Sequence, residues 1–259
     1  MDWGTQRKFN IIIVLISIVL IGFGVTVYRV FFTQPETCFD RIQNQDERGV
    51  DCGGVCELVC ANDVTPLIIL WQRPILVSGD VYSAVVYVAN ENKNAGIKQL
   101  DYEIKLYDDK NILVGAPITG TTFVGPLQKK AIVETGIVVE NRIPKTVFTT
   151  FSKPIIWSKT SGEQNNNYIE SINETISDSN TFPKLSALLQ NTNNRTDYID
   201  LPVIALVYDT IGNIMAVSKT TVDRLDHGKS EMVYFTWQRP FMLPVGTIEL
   251  LPLDNPFTQ

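Results

Sequence analysis

The apolar positions of the chain form one long run near the N-terminus and, after residue 65, many short runs separated by polar residues. The long run extends from Phe9 to Tyr28, and its polar interruptions are Asn10, Ser17 and Thr26. A helix of this length rises roughly 30 Å, which matches the hydrocarbon thickness of a bilayer. The pattern therefore predicts one transmembrane helix.

Two other structures share a long apolar run. A helix inside a protein core would need apolar partners on every side. A cleaved signal peptide usually has an apolar region of about 7–15 residues and a cleavage site of small residues, for which only Gly22–Gly24 offers a weak candidate. The run is longer than that, which favours an uncleaved anchor. Because Arg7 and Lys8 precede the run and Arg29 alone follows it closely, we expect a cytoplasmic N-terminus and an extracytoplasmic remainder.

The short runs after residue 65 are typical of β-strands. From Leu100 to Leu106 apolar residues alternate with Asp101, Glu103 and Lys105, as expected for a strand with one buried face. No part of this region has a sustained helical period. The predicted strands are Leu67–Trp71, Val81–Ala89, Leu100–Tyr107, Ala131–Val139, Thr146–Phe151, Leu185–Leu189, Val203–Tyr208, Met215–Val222, Ser230–Trp237 and Thr247–Leu251.

This β-rich region repeats itself after 101 residues without a gap. In both copies an apolar strand ends in Asn-x-Asn, and a later strand ends in Tyr-Asp before a tight turn. Asn and Asp suit these places because their side chains bond to nearby backbone and tolerate left-handed conformations. The repeated turn residues are Asn90, Tyr107 and Asp108 in the first copy and Asn191, Tyr208 and Asp209 in the second.

The Tyr-Asp strand resembles the FxLYD-type domain, an immunoglobulin-like sandwich of exported bacterial proteins. The motif stands here as Ile104–Asp108 and Ala205–Asp209, with phenylalanine replaced in both copies and leucine replaced by Val207 in the second. The replaced positions stay apolar. The resemblance implies a binding or scaffold module and brings no catalytic residues with it.

Four cysteines lie in one short stretch after the apolar run, at Cys38, Cys52, Cys56 and Cys60. In an exported segment such a cluster predicts two disulfides, and the sequence does not choose among the three pairings. A four-cysteine zinc site is the competing interpretation. The Cys-x3-Cys-x3-Cys spacing lacks the paired knuckles of such sites, and an oxidising compartment favours disulfides.

The stretch that contains these cysteines is similar to a short module of exported bacterial proteins, written C-x-D-G-x-x-N-x-x-E-x-G-x-D-C-G-G-x-C-x-x-C. The matching residues are Cys38, Asp40, Asn44, Glu47, Gly49, Asp51, Cys52, Gly53, Gly54 and Cys56. Arg41 stands where the pattern has glycine, which disfavours a positive φ, so we expect the local turn to differ.

Hard oxygen donors punctuate the same loop at Asp40, Asn44, Glu47 and Asp51. Calcium prefers such ligands, although the spacing is not that of an EF-hand. A calcium site is therefore a hypothesis, beside the simpler interpretation that these are solvated residues of a disulfide-stapled spacer.

Composition argues against several functions. With 22 basic and 28 acidic residues the net charge is −6, so a footprint for phosphate backbones is missing and we expect no nucleic-acid partner. The single histidine, His227, lies in a turn between two predicted strands. No G-x-S-x-G elbow or glycine-rich phosphate loop accompanies it.

The predicted fold class is mainly β: a transmembrane helix, a small disulfide module and two tandem immunoglobulin-like antiparallel β-sandwiches. The expected boundaries are 1–32 for the stub and anchor, 33–64 for the disulfide module, 65–158 and 168–257 for the sandwiches, with a polar linker in between. We expect a single-pass protein of the cell envelope that binds an envelope protein partner, with no enzymatic activity and no cofactor. The alternative is a cell-wall- or glycan-associated enzyme or its accessory subunit.

Overall fold

The computed structural model of the chain describes residues 3–32, 37–44, 46–140, 142–160 and 168–257, and within the N-terminal helix the side chains of residues 10–29. The described part is mainly β, with one long α-helix, and its sheets are antiparallel. The predicted fold class is confirmed at this level. Residues 1–56 and 57–259 form two compact units.

The helix α1 extends from Trp3 to Phe32 and contains the predicted apolar run. Its segment Asn10–Arg29 has a mean hydropathy of 2.8 and no buried side chains, so it is long and apolar enough to cross a membrane. A signal sequence shares these properties. The Thr26 hydroxyl donates to the Gly22 carbonyl at 2.8 Å, which satisfies its polar group inside the helix.

Fourteen strands follow the helix within the described ranges. They are β1 (Leu58–Val59), β2 (Ile68–Ser78), β3 (Val81–Ala89), β4 (Ala95–Tyr107), β5 (Leu113–Val124), β6 (Lys129–Val138), β7 (Thr146–Phe151), β8 (Trp157–Lys159), β9 (Ile169–Ser177), β10 (Lys184–Asn191), β11 (Tyr198–Asp209), β12 (Ile214–Leu225), β13 (Ser230–Thr236) and β14 (Val245–Pro252).

All ten predicted strands are present, and the four further strands among the described residues are β1, β5, β8 and β9. Strand β5 contains Pro117 and glycines at 115 and 120, which hide its alternation. Proline is tolerated there because β5 lies at the edge of its sheet. Residues 161–167 of the expected linker lie outside the described residues, and Ile169–Ser177, at the start of the second expected sandwich, forms β9.

The first sheet pair consists of β1–β8. One sheet has the order β2-β3-β6, and in the other β4 lies between β5 on one side and β7 and β8 on the other. Apolar residues of β3 and β4 meet between the sheets. The largest buried side chains there include Val86, Ile97, Leu100, Ile104 and Leu106.

The second sheet pair consists of β9–β14, with the orders β9-β10-β13 and β12-β11-β14. Its core contains Leu185, Leu189, Val203, Leu225 and Phe235. Each strand from β9 to β14 occupies the place that β2 to β7 occupy in the first pair. The two layered structures are therefore copies of one plan, at the spacing of the sequence repeat.

A third apolar cluster joins the two sheet pairs, which sequence analysis did not predict. The outer face of sheet β2-β3-β6 packs on the outer face of sheet β12-β11-β14. The buried residues are Ile75, Val85, Tyr87 and Ala131 from the first pair and Ile204, Leu206 and Val217 from the second. Burial of such side chains stabilises by roughly 1.5–3 kcal/mol each, so the contact holds the pairs together as one body.

The residues after β14 return to the first sheet pair. Gly96 leaves room for the ring of Phe257, since an added Cβ would lie 2.7 Å from the ring atom Cζ. Gly125 accommodates Pro256 in the same way, with 3.1 Å between the added Cβ and Cγ. The Lys98 ammonium lies 5.9 Å from the Phe257 ring centroid. We call residues 253–257 the C-terminal strap.

Candidate functional site

The repeated asparagine turns have the same hydrogen bonds in both copies. The Asn90 amide donates to the carbonyls of Ala95 and Gly125 at 2.8 and 2.7 Å, and its Oδ1 accepts from Asn92 N. The Asn191 amide donates to the carbonyls of Thr196 and Leu225 at 2.9 and 3.3 Å. Both asparagines are buried and tie together three segments of their sheet pair.

The repeated Tyr-Asp ends also share a pattern. Asp108 Oδ1 accepts from the amides of Lys110 and Ile112 at 2.9 and 2.8 Å, and Asp209 Oδ1 accepts from those of Ile211 and Asn213 at 3.0 and 2.8 Å. The amide of Ile112 is the main cause that holds the pKa of Asp108 below its usual value. For Asp209, burial opposes the change, but the hydrogen bonds from the turn together lower the pKa. These residues shape turns.

The two tyrosines of the repeated motif differ in their surroundings. Tyr208 lies in the contact between the sheet pairs, where its hydroxyl is 3.1 Å from Oε2 of Glu249. The Tyr87 hydroxyl donates to Oε1 of the same carboxylate. Trp71 packs against both of these rings, with centroid distances of 5.3 Å to Tyr87 and 6.3 Å to Tyr208. Burial is the main cause that raises the pKa of Tyr87 and of Tyr208, and the nearby Glu249 carboxylate raises it further. Both hydroxyls therefore stay neutral hydrogen-bond donors. Tyr107, by contrast, lies on the outer face of β4.

The outer face of sheet β9-β10-β13 carries an apolar row that no described residue covers. Across the three strands, Leu188 pairs with Ile172 on one side and with Met232 on the other. Ile172 and Met232 are 37% and 43% exposed, and Tyr234, next along β13, is 64% exposed. We call these four residues the outer row.

The outer row corresponds to the contact between the sheet pairs. Moving back by the repeat of 101 residues, its members fall on Trp71, Tyr87, Ala131 and Val133, all of which belong to the third apolar cluster. The cross-strand pairing is the same, because Trp71 pairs with Tyr87 and Tyr87 with Ala131. One face of the repeat is therefore buried in the first copy and open in the second.

The other open sheet face has a different character. The outer face of β4 presents Glu103 and Lys105, which form an ion pair. In the second copy the equivalent positions are Ile204 and Leu206, both buried in the third apolar cluster. Charge has thus replaced the apolar centre of this face in the first copy.

A buried lysine lies at the start of β6. Lys130 is 2% exposed, and its ammonium lies 3.0 Å from the centroid of the Phe123 ring. Among the described residues no carboxylate pairs with it. Burial, with a smaller contribution from Lys219, lowers the pKa of Lys130 to about 7.

The cysteine segment is disulfide-bonded throughout, as predicted. Cys38 pairs with Cys56, Cys52 and Cys60 are also disulfide-bonded, and none of the four is free. The competing zinc interpretation is wrong for this oxidised form, because no thiolate is present to bind zinc. The expected change of turn at Arg41 is also wrong. Its φ is 63°, and its amide donates to the Asp51 carboxylate at 3.0 Å, which holds the left-handed conformation without glycine.

The four candidate calcium ligands bond to their own loop. The Asp40 carboxylate accepts from the Ile42 amide at 2.9 Å and from the Asn44 side chain at 2.8 Å. The bond from Asn44 is the main cause that lowers the pKa of Asp40. Glu47 is buried and accepts from the amides of Asn44 and Asp51, both at 3.3 Å. These contacts organise the loop whether or not an ion binds. The calcium site stays a hypothesis.

His227 lies in the turn between β12 and β13, with its side chain 57% exposed. Its Nδ1 is 2.7 Å from Oδ1 of Asp197, whose pKa is lowered chiefly by the backbone amide of His227. Arg224 pairs with the same carboxylate at 3.0 Å. The arrangement ties the turn to the loop before β11 and matches the predicted turn histidine.

A mostly apolar cavity of about 220 Å³ lies between the end of β2 and the start of β12. Trp237 and Phe241, whose rings are 5.2 Å apart, contribute to its lining, and the Trp237 indole donates to the Val217 carbonyl. Arg239 is the charged residue of this lining.

The likeness of this chain to known proteins is weak. No family model matches it, and no curated protein does. Among solved structures, it resembles red sea bream transglutaminase with a TM-score of 0.24 and 11% identity, over 78% of this chain and 32% of the other. It resembles the C-terminal globular domain of an oligosaccharyltransferase from Pyrococcus abyssi with a TM-score of 0.22 and 11% identity, over 76% of this chain and 50% of the other. The chain thus spans from a third to a half of these structures, and TM-scores this low carry no argument. The FxLYD resemblance stays a prediction.

Proposed function

We propose that this chain is a single-pass membrane protein that presents its β-rich part on the extracytoplasmic side and works through contacts with other protein surfaces. The apolar helix supports the anchor, and the disulfides support an oxidising compartment. In this proposal the chain is a binding or structural component of the cell envelope and carries out no catalysis. Arg7 and Lys8, which precede the apolar segment of α1, support a cytoplasmic N-terminus.

The observation that carries the proposal is the outer row. Ile172, Met232 and Tyr234 are exposed and Leu188 is partly exposed, whereas their equivalents in the first copy all pack against another sheet. The equivalent apolar face of the first copy, on sheet β2-β3-β6, thus packs on another sheet within this molecule. Met and Tyr are also enriched at the centres of protein interfaces.

A rigid support makes the outer row suitable for this task. Its strands are held by the core of the second sheet pair, where Leu185, Leu189 and Phe235 are at most 2% exposed. The third apolar cluster fixes this pair to the first. The row is therefore presented without the conformational entropy cost that a mobile loop would carry into a contact.

Site-specific photo-cross-linking in intact cells tests the proposal. A benzophenone side chain replaces Tyr234, in the outer row, or Ile211, which is 82% exposed in the turn between β11 and β12. We expect a discrete adduct from position 234, identified by mass spectrometry, and none from position 211. Adding Leu188→Lys should abolish that adduct, because a charge at the centre of the row must be desolvated.

The same positions test the side of the membrane. An Ile211→Cys chain in intact cells should react with a membrane-impermeant maleimide. The natural cysteines are all disulfide-bonded, so the label reports on position 211 alone. Labelling only after lysis would contradict the extracytoplasmic placement. Equal adducts from both benzophenone positions, or none from either, would contradict protein contact through the outer row.

A further inference from the structure

We infer that the outer row packs against the outer row of a second copy of this chain, so that two chains form a dimer about a two-fold axis. The inference rests on the proposed function and names the partner. The second sheet pair repeats a face that is already covered by a sheet in the first pair. A second copy can supply that missing sheet.

The charges of the other open face decide which sheet of the second copy is used. Head-to-tail stacking would place the outer row on the face of β4, as the first pair lies on β11. It would bury the Glu103–Lys105 ion pair under an apolar row that offers no further hydrogen bonds, and without these the attraction within a buried pair does not repay its desolvation. Row against row buries apolar residues on both sides. It also closes on two copies, whereas head-to-tail stacking would continue into a fibre.

The charges beside the outer row fit such a contact. On one side of the row, in register with Gln190, lies Glu170; on the other side lies Lys184. Both are exposed, and Lys184 has only a loose pairing with Asp178, at 4.0 Å. The row crosses the three strands, and we place the two-fold axis along it, in the plane between the two copies. Rotation about this axis brings the Lys184 side of one copy over the Glu170 side of the other. Opposite charges then meet twice.

The size of the face sets the conditions for the contact. The open face of β9-β10-β13 is three strands wide, at about 4.8 Å per strand, and presents about four outward-facing residues along each strand. Its area is therefore on the order of 300 Å². A stable interface between dilute proteins covers about 800 Å² per partner, so the dimer is weak in free solution. Anchoring in one membrane raises the effective concentration of the copies and makes the contact populated. The dimer should therefore be sought in membranes.

Cross-linking of the full chain in its own membrane tests the inference. Ser186→Cys places one thiol beside the row without altering it, and a short bis-maleimide then joins neighbouring copies. We expect a product of twice the chain mass that contains only this chain. Lys184→Glu or Glu170→Lys alone should lower its yield by about tenfold, as like charges meet, and the double exchange should restore it. The matched control, Ile211→Cys, should give no such product.

Each outcome separates the inference from the proposed function. A Ser186→Cys product with a different protein, and none with itself, would overturn the dimer and leave protein contact through the row intact. No product of either kind would overturn both. A self-product that is insensitive to the Lys184 and Glu170 exchanges would overturn the two-fold arrangement, since the charges would then lie apart.

Discussion

Replacing Lys130 with methionine should stabilise the protein near neutral pH. The native ammonium is 2% exposed and contacts the Phe123 ring, with no carboxylate partner among the described residues. A ring face attracts a desolvated cation by about 2 kcal/mol or somewhat more, which falls short of the cost of burying an unpaired charge. Methionine keeps the length of the side chain and removes that cost.

The magnitude follows from the pKa of Lys130, which burial lowers from 10.5 to about 7. Between these values the folded protein holds a neutral amine while the unfolded chain still binds a proton. The free energy of unfolding therefore rises with pH by about 1.4 kcal/mol per pH unit. Over the whole interval the rise is roughly 5 kcal/mol. Below pH 7 both states are protonated and the native state bears the full cost.

Guanidinium unfolding of the full chain in detergent, followed by tryptophan fluorescence at about pH 6.5, 8 and 9.5, measures this effect. Lys130→Met should be more stable than wild type at the lowest pH, and the difference should shrink by roughly 3 kcal/mol at the highest. Lys129→Met is the matched control, because its neighbour Lys129 is exposed and carries the same charge. Parallel pH profiles for wild type and Lys130→Met would refute the reasoning.

Two further changes test local structure. Asn191→Ala removes an amide that donates to two carbonyls, so the free energy of unfolding should fall by about 2 kcal/mol. Amide hydrogen exchange should become faster around that turn first, and unchanged exchange there would contradict the assigned role. Gly54→Ala should prevent native disulfide formation, because an added Cβ would lie 1.9 Å from the Asp46 carbonyl oxygen. Gly79→Ala, also at positive φ but with nothing within 4 Å, should leave non-reducing peptide maps unchanged, and a native map for Gly54→Ala would show that the loop can shift.

The sequence contained a signal for the contact between the sheet pairs. Strand β3 is apolar at nearly every position from Val81 to Ala89, and β11 is so from Val203 to Tyr208, without the alternation of β4. Continuous apolar runs are typical of strands that are buried on both faces. The prediction used these runs only to place strands, and so it treated the two copies as separate sandwiches.

Other features depend on tertiary contacts that periodicity does not encode. Lys130 reads as the polar residue before a strand that was predicted to begin at Ala131, and only the packed structure shows it to be buried. Arg41 adopts a glycine-like φ because an aspartate ten residues away, Asp51, bonds to its amide. The outer row is distinguished from an ordinary exposed face by its equivalents in the first copy, which another sheet covers.

The C-terminal strap has a consequence for biosynthesis. A chain leaves the ribosome from its N-terminus, so the first sheet pair is synthesised well before the residues that complete it. Until Phe257 emerges, the surface beside Gly96 stays uncovered, and until β11 and β14 emerge, the outer face of β3 does too. During synthesis the first copy therefore passes through a stage in which apolar surface faces water, and protection of the nascent chain matters most in that interval.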